Sequence, residues 1–324
     1  MRVAVTGAGG YVGRALVGAL LARGDSVTAL DLRGPRLAFP EAVRFLAGDV
    51  RDAGALRALV RDSDAVAHLA AYVHRAAETR AAREECFAVN EGATRALVAE
   101  MAATGRRPHL VLVSTVAVYG ATFERAVETA EPRPVTAYGA SKLAAERIVL
   151  EAAARGAITG CVLRPAVVYG PGAPGNTSGL VSLVRRGMVP LVGGGANAKS
   201  LVHVDDLAAA LVRAIETPER ANGRVFNVAG EPLSVRAMVE TIARGAGVRA
   251  RWLPAPRWAF ATAGGLAHAL SRATGGRLPD LGRSLEVFAG TATADASAVV
   301  RELGVRFRPS AAGIEEMARL EAGR

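Results

Sequence analysis

The chain has 324 residues, of which 51% are hydrophobic, 22% charged and 5% aromatic, enough apolar content to exclude global disorder and a length suited to one large domain or two unequal ones. Its net charge of +10 does not mark a nucleic-acid surface, because all the basic residues except Lys142 and Lys199 are arginines, scattered in short pairs such as Arg106-Arg107 and Arg185-Arg186 rather than in a phosphate-tracking run. No uninterrupted apolar stretch reaches about 18 residues, so no membrane span is expected, and the strand pattern at residue 3 leaves no room for a signal peptide.

Residues 3–6 read as a strand, followed by a glycine-rich turn and a helix over 11–23 with Val12, Leu16, Leu20 and Leu21 on one side. Further strands are expected at 26–31, 44–46, 65–69, 109–113 and 158–163, with helices at 51–61, 84–104 and 138–155 between the later ones. Alternating strands and helices imply parallel pairing, and continuous apolar runs such as 110–113 suit strands covered on both faces. The predicted fold is therefore a doubly wound α/β parallel sheet (Rossmann). Glycine and proline punctuate 170–175 and 192–196; sheet and helix return at 201–204, 206–216 and 225–229. Helical patterns at 235–245, 256–272 and 310–321 predict a smaller, mainly helical C-terminal region. On this reading residues 1–170, with 200–230 returning, bind a dinucleotide, and 171–199 with 231–324 bind substrate. The small-residue pattern at 258–274 reads as a helix over the substrate cleft, with membrane-surface contact as the alternative.

Two constellations carry chemistry. Gly7, Gly10 and Gly13 directly follow a strand and open a helix, which permits a tight turn, close approach to a pyrophosphate and close helix–strand packing. Asp31 ends the second strand, where a carboxylate accepts hydrogen bonds from ribose hydroxyls and repels a 2′-phosphate. NAD is thus the expected cofactor. Arg33 and Arg14 stand close enough to keep NADP as an alternative. Asp49, before Val50 at the end of the third strand, is placed to meet the adenine amino group or to cap a helix. The second constellation is Tyr138-Gly-Ala-Ser-Lys142, an i, i+4 pair on one helix face. A lysine there favours the phenolate and lowers the tyrosine pKa, giving a general acid/base. Arginine does not replace a compact ammonium in that place, which explains a lysine in a chain that otherwise uses arginine. Ser114 and Thr115 follow the fifth strand and point their hydroxyls at the crevice.

These segments resemble the extended short-chain dehydrogenase/reductases, a family that includes nucleotide-sugar epimerases and hydroxysteroid-dehydrogenase-like ketoreductases. The matching residues are 6–13, Asp31, 48–50, 68–71, 89–90, 114–120, 138–142, 163–165, 168–171 and 202–207, in the family's order and spacing. The resemblance implies Thr115 as the catalytic hydroxyl with Ser114 its structural neighbour, Tyr138 as base and Lys142 as its partner. It also implies a cofactor site of Gly7, Gly10, Tyr11, Val12, Asp31, Arg33, Asp49, Val50, Leu69, Ala70, Ala71, Tyr138, Lys142, Pro165 and Val168. Sugar 4,6-dehydratases of the family carry Asp-Glu where this chain has Val116-Ala117, so dehydration is not expected. Nucleotide-sugar enzymes usually place an arginine where this chain has 198–200, leaving Lys199 as a candidate substitute. The segments 175–176, 193–195, 202–206 and 256–258 look closer to the hydroxysteroid-dehydrogenase-like branch.

The expected function is NAD(P)-dependent hydride transfer on a secondary alcohol or ketone by a Thr-Tyr-Lys mechanism. A nucleotide-sugar 4-epimerase with tightly bound NAD is the alternative. A nicotinamide-sensing binding protein is the non-catalytic one, which an intact Tyr-Lys pair argues against. Small-molecule substrate, no nucleic acid, no metal, and a cytoplasmic homodimer (the last by resemblance) complete the expectation. Tyr72 and His74 read equally as substrate-facing or solvated. His203 and Asp205 read as a structural pair. Neither cysteine has a plausible histidine partner in the sequence, and their scarcity fits a reducing compartment.

Overall fold

A computed structural model of the protein describes residues 1–32, 39–73, 79–174, 176–187, 189–250, 252–255, 262 and 290–322. In chain order its first half runs β1 (Arg2–Thr6), α1 (Tyr11–Ala22), β2 (Ser26–Asp31), β3 (Val43–Ala47), α2 (Ala53–Val60), β4 (Ala65–His68), α3 (Arg80–Phe87), α4 (Ala93–Ala103), β5 (His109–Val113), β6 (Phe123–Ala126), α5 (Ala137–Ala154) and β7 (Thr159–Pro165). The second half adds β8 (Val167–Tyr169), α6 (Asn176–Arg185), β9 (Val189–Val192), β10 (Ala198–Lys199), β11 (Leu201–His203), α7 (Val204–Glu216), α8 (Pro218–Ala221), β12 (Val225–Val228), β13 (Leu233–Ser234), α9 (Val235–Gly245), β14 (Trp252–Ala255), β15 (Ala292–Ala294), α10 (Ser297–Leu303) and α11 (Ser310–Ala322).

Seven strands form one sheet in the order β12-β7-β5-β4-β1-β2-β3, and every neighbouring pair is parallel. Side chains alternate between its faces, so Val3 and Val5 join Leu16, Leu20, Leu207 and Leu211 of α1 and α7. Ala4 and Val66 point the other way, into Leu56, Leu97 and Val149 of α2, α4 and α5. Both faces are dry, which is why the strands read as continuous apolar runs. The chain winds outward in opposite directions from β1 and β4, so the crevice at their carboxyl ends is the topological switch point.

Two differences from the sequence expectation have clear causes. The helix expected over 84–104 is two α-helices joined by a π-helical turn at Ala88–Gly92, whose inserted residue turns Asn90 into the core. The region expected to be mainly helical also carries the short strands β13, β14 and β15, which pair with earlier strands in a four-stranded sheet of order β13-β10-β15-β6 and in the pair β14-β9, while β11, expected as a strand, pairs with β8. Strands of two to four residues are too short to show a period of two. The segment 258–274 lies outside the described residues, apart from Thr262. Among the described residues no helix is long and apolar enough to cross a membrane.

Candidate active site

The glycine turn is defined by where side chains are missing. Gly7 sits at φ +68°, and a Cβ there would lie 2.7 Å from the Ala70 backbone nitrogen. A Cβ on Gly13 would collide with the Gly7 carbonyl oxygen, so α1 approaches β1 closely only with glycine there. The Gly9 N–H donates to Asp31 Oδ2 at 2.9 Å, which anchors that carboxylate beside the turn. Its Oδ1 has no hydrogen-bond partner among the described residues and stays available as an acceptor. Gly10 is the N-cap of α1 without a side-chain cap, leaving the first amides of the helix free of one. A tight turn, uncapped amides and a half-satisfied carboxylate at the switch point fit a dinucleotide.

Catalytic candidates gather two strands over, at the end of β5. Thr136 caps α5 by accepting the Gly139 N–H at 3.0 Å, fixing the frame of the helix. A Cβ on Gly139 would stand 2.9 Å from the Ala117 carbonyl oxygen, so this glycine lets α5 close on the 3-10 turn Val116–Tyr119 after β5. That approach brings the Thr115 side chain to the Tyr138 phenol. Thr115 Oγ1 also accepts the Ala117 N–H at 3.1 Å, while Ser114 turns inward and donates to Glu146. The two adjacent hydroxyls are thereby separated: one faces Tyr138 and the other is buried.

Electrostatics here run against one expectation. Lys142 does not hold the Tyr138 phenol below its ordinary pKa. Burial of the phenolate dominates and pushes Tyr138 up to about 12, although the neighbouring Thr115 hydroxyl pulls the other way. Lys142 is itself buried, and desolvation drops its ammonium to about 8, with Glu146 one turn on opposing the fall.

A hydrogen-bonded chain joins the two halves of the crevice. Ala70 N–H donates to Thr6 Oγ1 at 3.2 Å, and Thr6 Oγ1 lies 2.7 Å from His68 Nδ1. His68 Nε2 lies 3.1 Å from Thr94 Oγ1, which donates to the Asn90 carbonyl at 2.6 Å. With the Thr94 proton so used, His68 carries its own on Nε2 and accepts from Thr6. Burial, with the Lys142 charge adding to it, pushes His68 down to about 3, so it is neutral. The Asn90 amide holds the Tyr72 backbone (2.8 and 3.1 Å) and donates to Ser141 Oγ at 2.9 Å. Ser141 returns to the Tyr138 carbonyl at 2.9 Å.

Of the residues singled out in the sequence, Gly7, Gly10, Tyr11, Val12, Asp31, Asp49, Val50, Leu69, Ala70, Ala71, Thr115 and Pro165 line up at the carboxyl ends of β1, β2, β3, β4, β5 and β7. Val168 lies in β8, packed against the α1 side of the core with Val12 and Leu69. Arg33 and His74 lie outside the described residues. Asp49 caps no helix, since Asp52 caps α2; its carboxylate is gripped by Arg51 at 2.5–3.0 Å. The Tyr11 hydroxyl lies against Gly170, buried and without a hydrogen-bond partner among the described residues. His203 accepts the Asp205 N–H at 3.2 Å as the cap of α7, a structural role.

The cysteine expectation needs correcting. Cys161 Sγ lies 3.7 Å from His109 Nε2, because β5 and β7 run side by side in register. Both are buried; the thiol is pushed far up and the imidazole down to about 4, so the pair holds no thiolate. Sequence reading missed Glu146, and it held Asn90 and Arg164 only as parts of the segments 89–90 and 163–165, with no role of their own. The one signal for Glu146 was its place eight residues after Tyr138, on the face that carries Lys142.

The sequence matches the NAD dependent epimerase/dehydratase family over residues 3–229. It is 35% identical over 269 residues to a Sinorhizobium fredii protein named uncharacterized protein y4nG, covering 82% of this chain and 66% of that one, just under two thirds of its length. It is 33% identical over 272 residues to D-erythronate dehydrogenase of Cupriavidus necator, covering 76% and 82%. It is 32% identical over 281 residues to UDP-glucose 4-epimerase of Streptomyces lividans, covering 78% and 83%. The solved structure of MoeE5 in complex with UDP-glucuronic acid and NAD superposes with a TM-score of 0.77 at 27% identity, covering 99% of both chains. The chain belongs to the NAD dependent epimerase/dehydratase family, and is an NAD-dependent enzyme of the extended short-chain dehydrogenase/reductase type.

Proposed function

We propose that the protein transfers hydride between NAD and a secondary alcohol or ketone, with Tyr138 as general base and acid, Lys142 as its electrostatic partner and Thr115 holding the reacting oxygen. The observation that carries this reading is the approach of the Thr115 side chain to the Tyr138 phenol, with Lys142 one helical turn away at the same crevice. When bound, NAD supplies the hydride acceptor and a cationic ring that favours the Tyr138 phenolate. Gly7, Gly10, Tyr11 and Val12 would take the pyrophosphate and Asp31 the ribose hydroxyls. Val50 and Leu69–Ala71 would border the adenosine side, and Pro165 and Val168 the nicotinamide. Asp49 would meet adenine as a carboxylate already paired with Arg51. The anchored Asp31 carboxylate favours NAD over NADP.

In the oxidising direction Tyr138 takes the hydroxyl proton while Thr115 keeps the oxygen oriented; in reduction Tyr138 returns it. Val116 and Ala117 offer no acid/base pair for removing water. The likeness to D-erythronate dehydrogenase supports a hydroxylated substrate. The likeness to UDP-glucose 4-epimerase and to MoeE5 holding a UDP-sugar favours a second reading, a nucleotide-sugar 4-epimerase that runs the same step twice. Net NADH consumption with a panel of ketones and keto acids supports the first reading. Interconversion of a UDP-hexose pair without added cofactor establishes the second. Tyr138→Phe lowers kcat about a thousandfold in either chemistry with NADH binding intact; surviving activity overturns the acid/base assignment. We also propose a cytoplasmic homodimer; a monomer mass by light scattering removes the dimer.

A further inference from the structure

Behind the Tyr138–Lys142 face lies a buried ion pair that the mechanism above does not use. Tyr138, Lys142 and Glu146 recur every four residues on α5, so each stands about 6 Å along the helix from the next. Glu146 is 1% exposed and receives a bidentate fork from Arg164 of β7: Nη2 to Oε2 at 2.6 Å and Nε to Oε1 and Oε2 at 3.0 and 3.2 Å. Its Oε1 also accepts from Ser114, the residue before Thr115. Arg164 continues the network, donating to the Tyr119 hydroxyl at 2.8 Å and stacking over its ring at 4.9 Å. Tyr119 donates to Asn227 Oδ1 at 2.9 Å. The Asn227 amide reaches the carbonyls of Ala126 and Asp295, at the C-terminal ends of β6 and β15.

We propose that Glu146 and Arg164 are positioning residues for hydride transfer: Glu146 is the counter-charge that keeps buried Lys142 an ammonium, and Arg164 holds Glu146 between Lys142 and the Ser114–Thr115 turn. The proposal rests on the Tyr138–Lys142 reading above. A bidentate fork fixes direction as well as charge, and an apolar pair would pack as well or better if stability were the only role. Removing the carboxylate takes from Lys142 the anion that favours its charged form and leaves Arg164 without its partner. Removing the guanidinium leaves the carboxylate with Lys142 as its cation. The ionisable groups facing Lys142 are Tyr138 and Glu146 on α5, Cys86 on α3 and His68 on β4; Arg164 acts through Glu146.

Because the chain contains only Lys142 and Lys199, lysine labelled with carbon-13 at Cε gives two signals, assigned with Lys199→Met. The full-length protein saturated with NAD is titrated by NMR. Glu146→Gln moves the Lys142 midpoint down by about one pH unit or more, and kcat at pH 7.5 falls about tenfold with it. Arg164→Met moves that midpoint up, and the double variant Glu146→Gln/Arg164→Met falls between Glu146→Gln and wild type. Loss of packing does not produce shifts of opposite sign. An unchanged midpoint in Glu146→Gln, or shifts of the same sign in both single variants, overturns the proposal. If Glu146→Gln does not fold, Arg164→Met decides alone: no change or a fall overturns it. The titration reads Lys142 without substrate, so its failure is distinct from that of the hydride-transfer reading, which Tyr138→Phe tests on activity.

Discussion

The two ends of the crevice are built by opposite means. At the glycine turn the working parts are backbone, and specificity comes from side chains that are absent: the Gly7 and Gly13 positions have no room for a methyl group. On α5 the working parts are ionisable side chains pressed into the core, where Lys142 and Glu146 are each 1% exposed. One end is therefore broken by adding atoms. The other holds its charge against the folding free energy, as buried functional groups commonly do.

That contrast is open to measurement. The largest effect is expected from Lys142→Met. Burial drops the lysine from 10.5 to about 8, so its ammonium costs about 3 kcal/mol of stability at pH 7. The penalty is fully present below pH 8 and is relieved as pH rises from 8 towards 10.5, where the unfolded chain binds the extra proton. Denaturant titration at pH 7 should find the variant more stable and inactive, with the gain shrinking above pH 8; an equal or lower stability would show that Lys142 is not strained. Next comes Gly13→Ala, expected to cost about 1–3 kcal/mol because the new methyl meets the Gly7 carbonyl, and to weaken NADH binding. Unaltered Tm and NADH fluorescence would break the backbone half of the contrast.

His68 gives the acid limb. Its pKa falls from 6.5 to about 3, so the unfolded state takes up the proton first and stability is lost as pH drops below 6.5. Between pH 6.5 and 5 the loss is about 2 kcal/mol from this group. His109, held down to about 4 by burial, adds in the same direction. The slope of unfolding free energy against pH should flatten in His68→Gln; an unchanged slope removes His68 as the source. Smallest is Asp31→Asn. Losing a charged acceptor should raise the Kd for NAD about tenfold and narrow the preference over NADP. Equal affinities before and after, by calorimetry, would take Asp31 out of cofactor choice.

Much of the fold was legible because parallel strands buried on both faces are written as apolar runs, and the bounds of β2 and β5 match the expectation residue for residue. Thr115 was separable from Ser114 by the family's spacing, and the structure gives the physical side: Ser114 is committed to Glu146 and Thr115 meets Tyr138. The π turn at Asn90 was not legible, because one inserted residue in a helix leaves the apolar period almost intact. Nor was the Cys161–His109 contact, which depends on the register of two strands 50 residues apart.

The sequence by itself determined the alternation of strands and helices, the glycine turn, Asp31 and the Tyr138–Lys142 spacing. Each is local, set by a few adjacent residues and the 2.0 or 3.6 period. Tertiary structure alone decided the ionisation of those groups. Tyr138 near 12, Lys142 near 8 and neutral His68 follow from desolvation, and desolvation depends on what packs around a group rather than on its neighbours in the chain. It also decided that Glu146 and Arg164, 18 residues apart, meet behind the lysine. Charge in a core is a property of the fold.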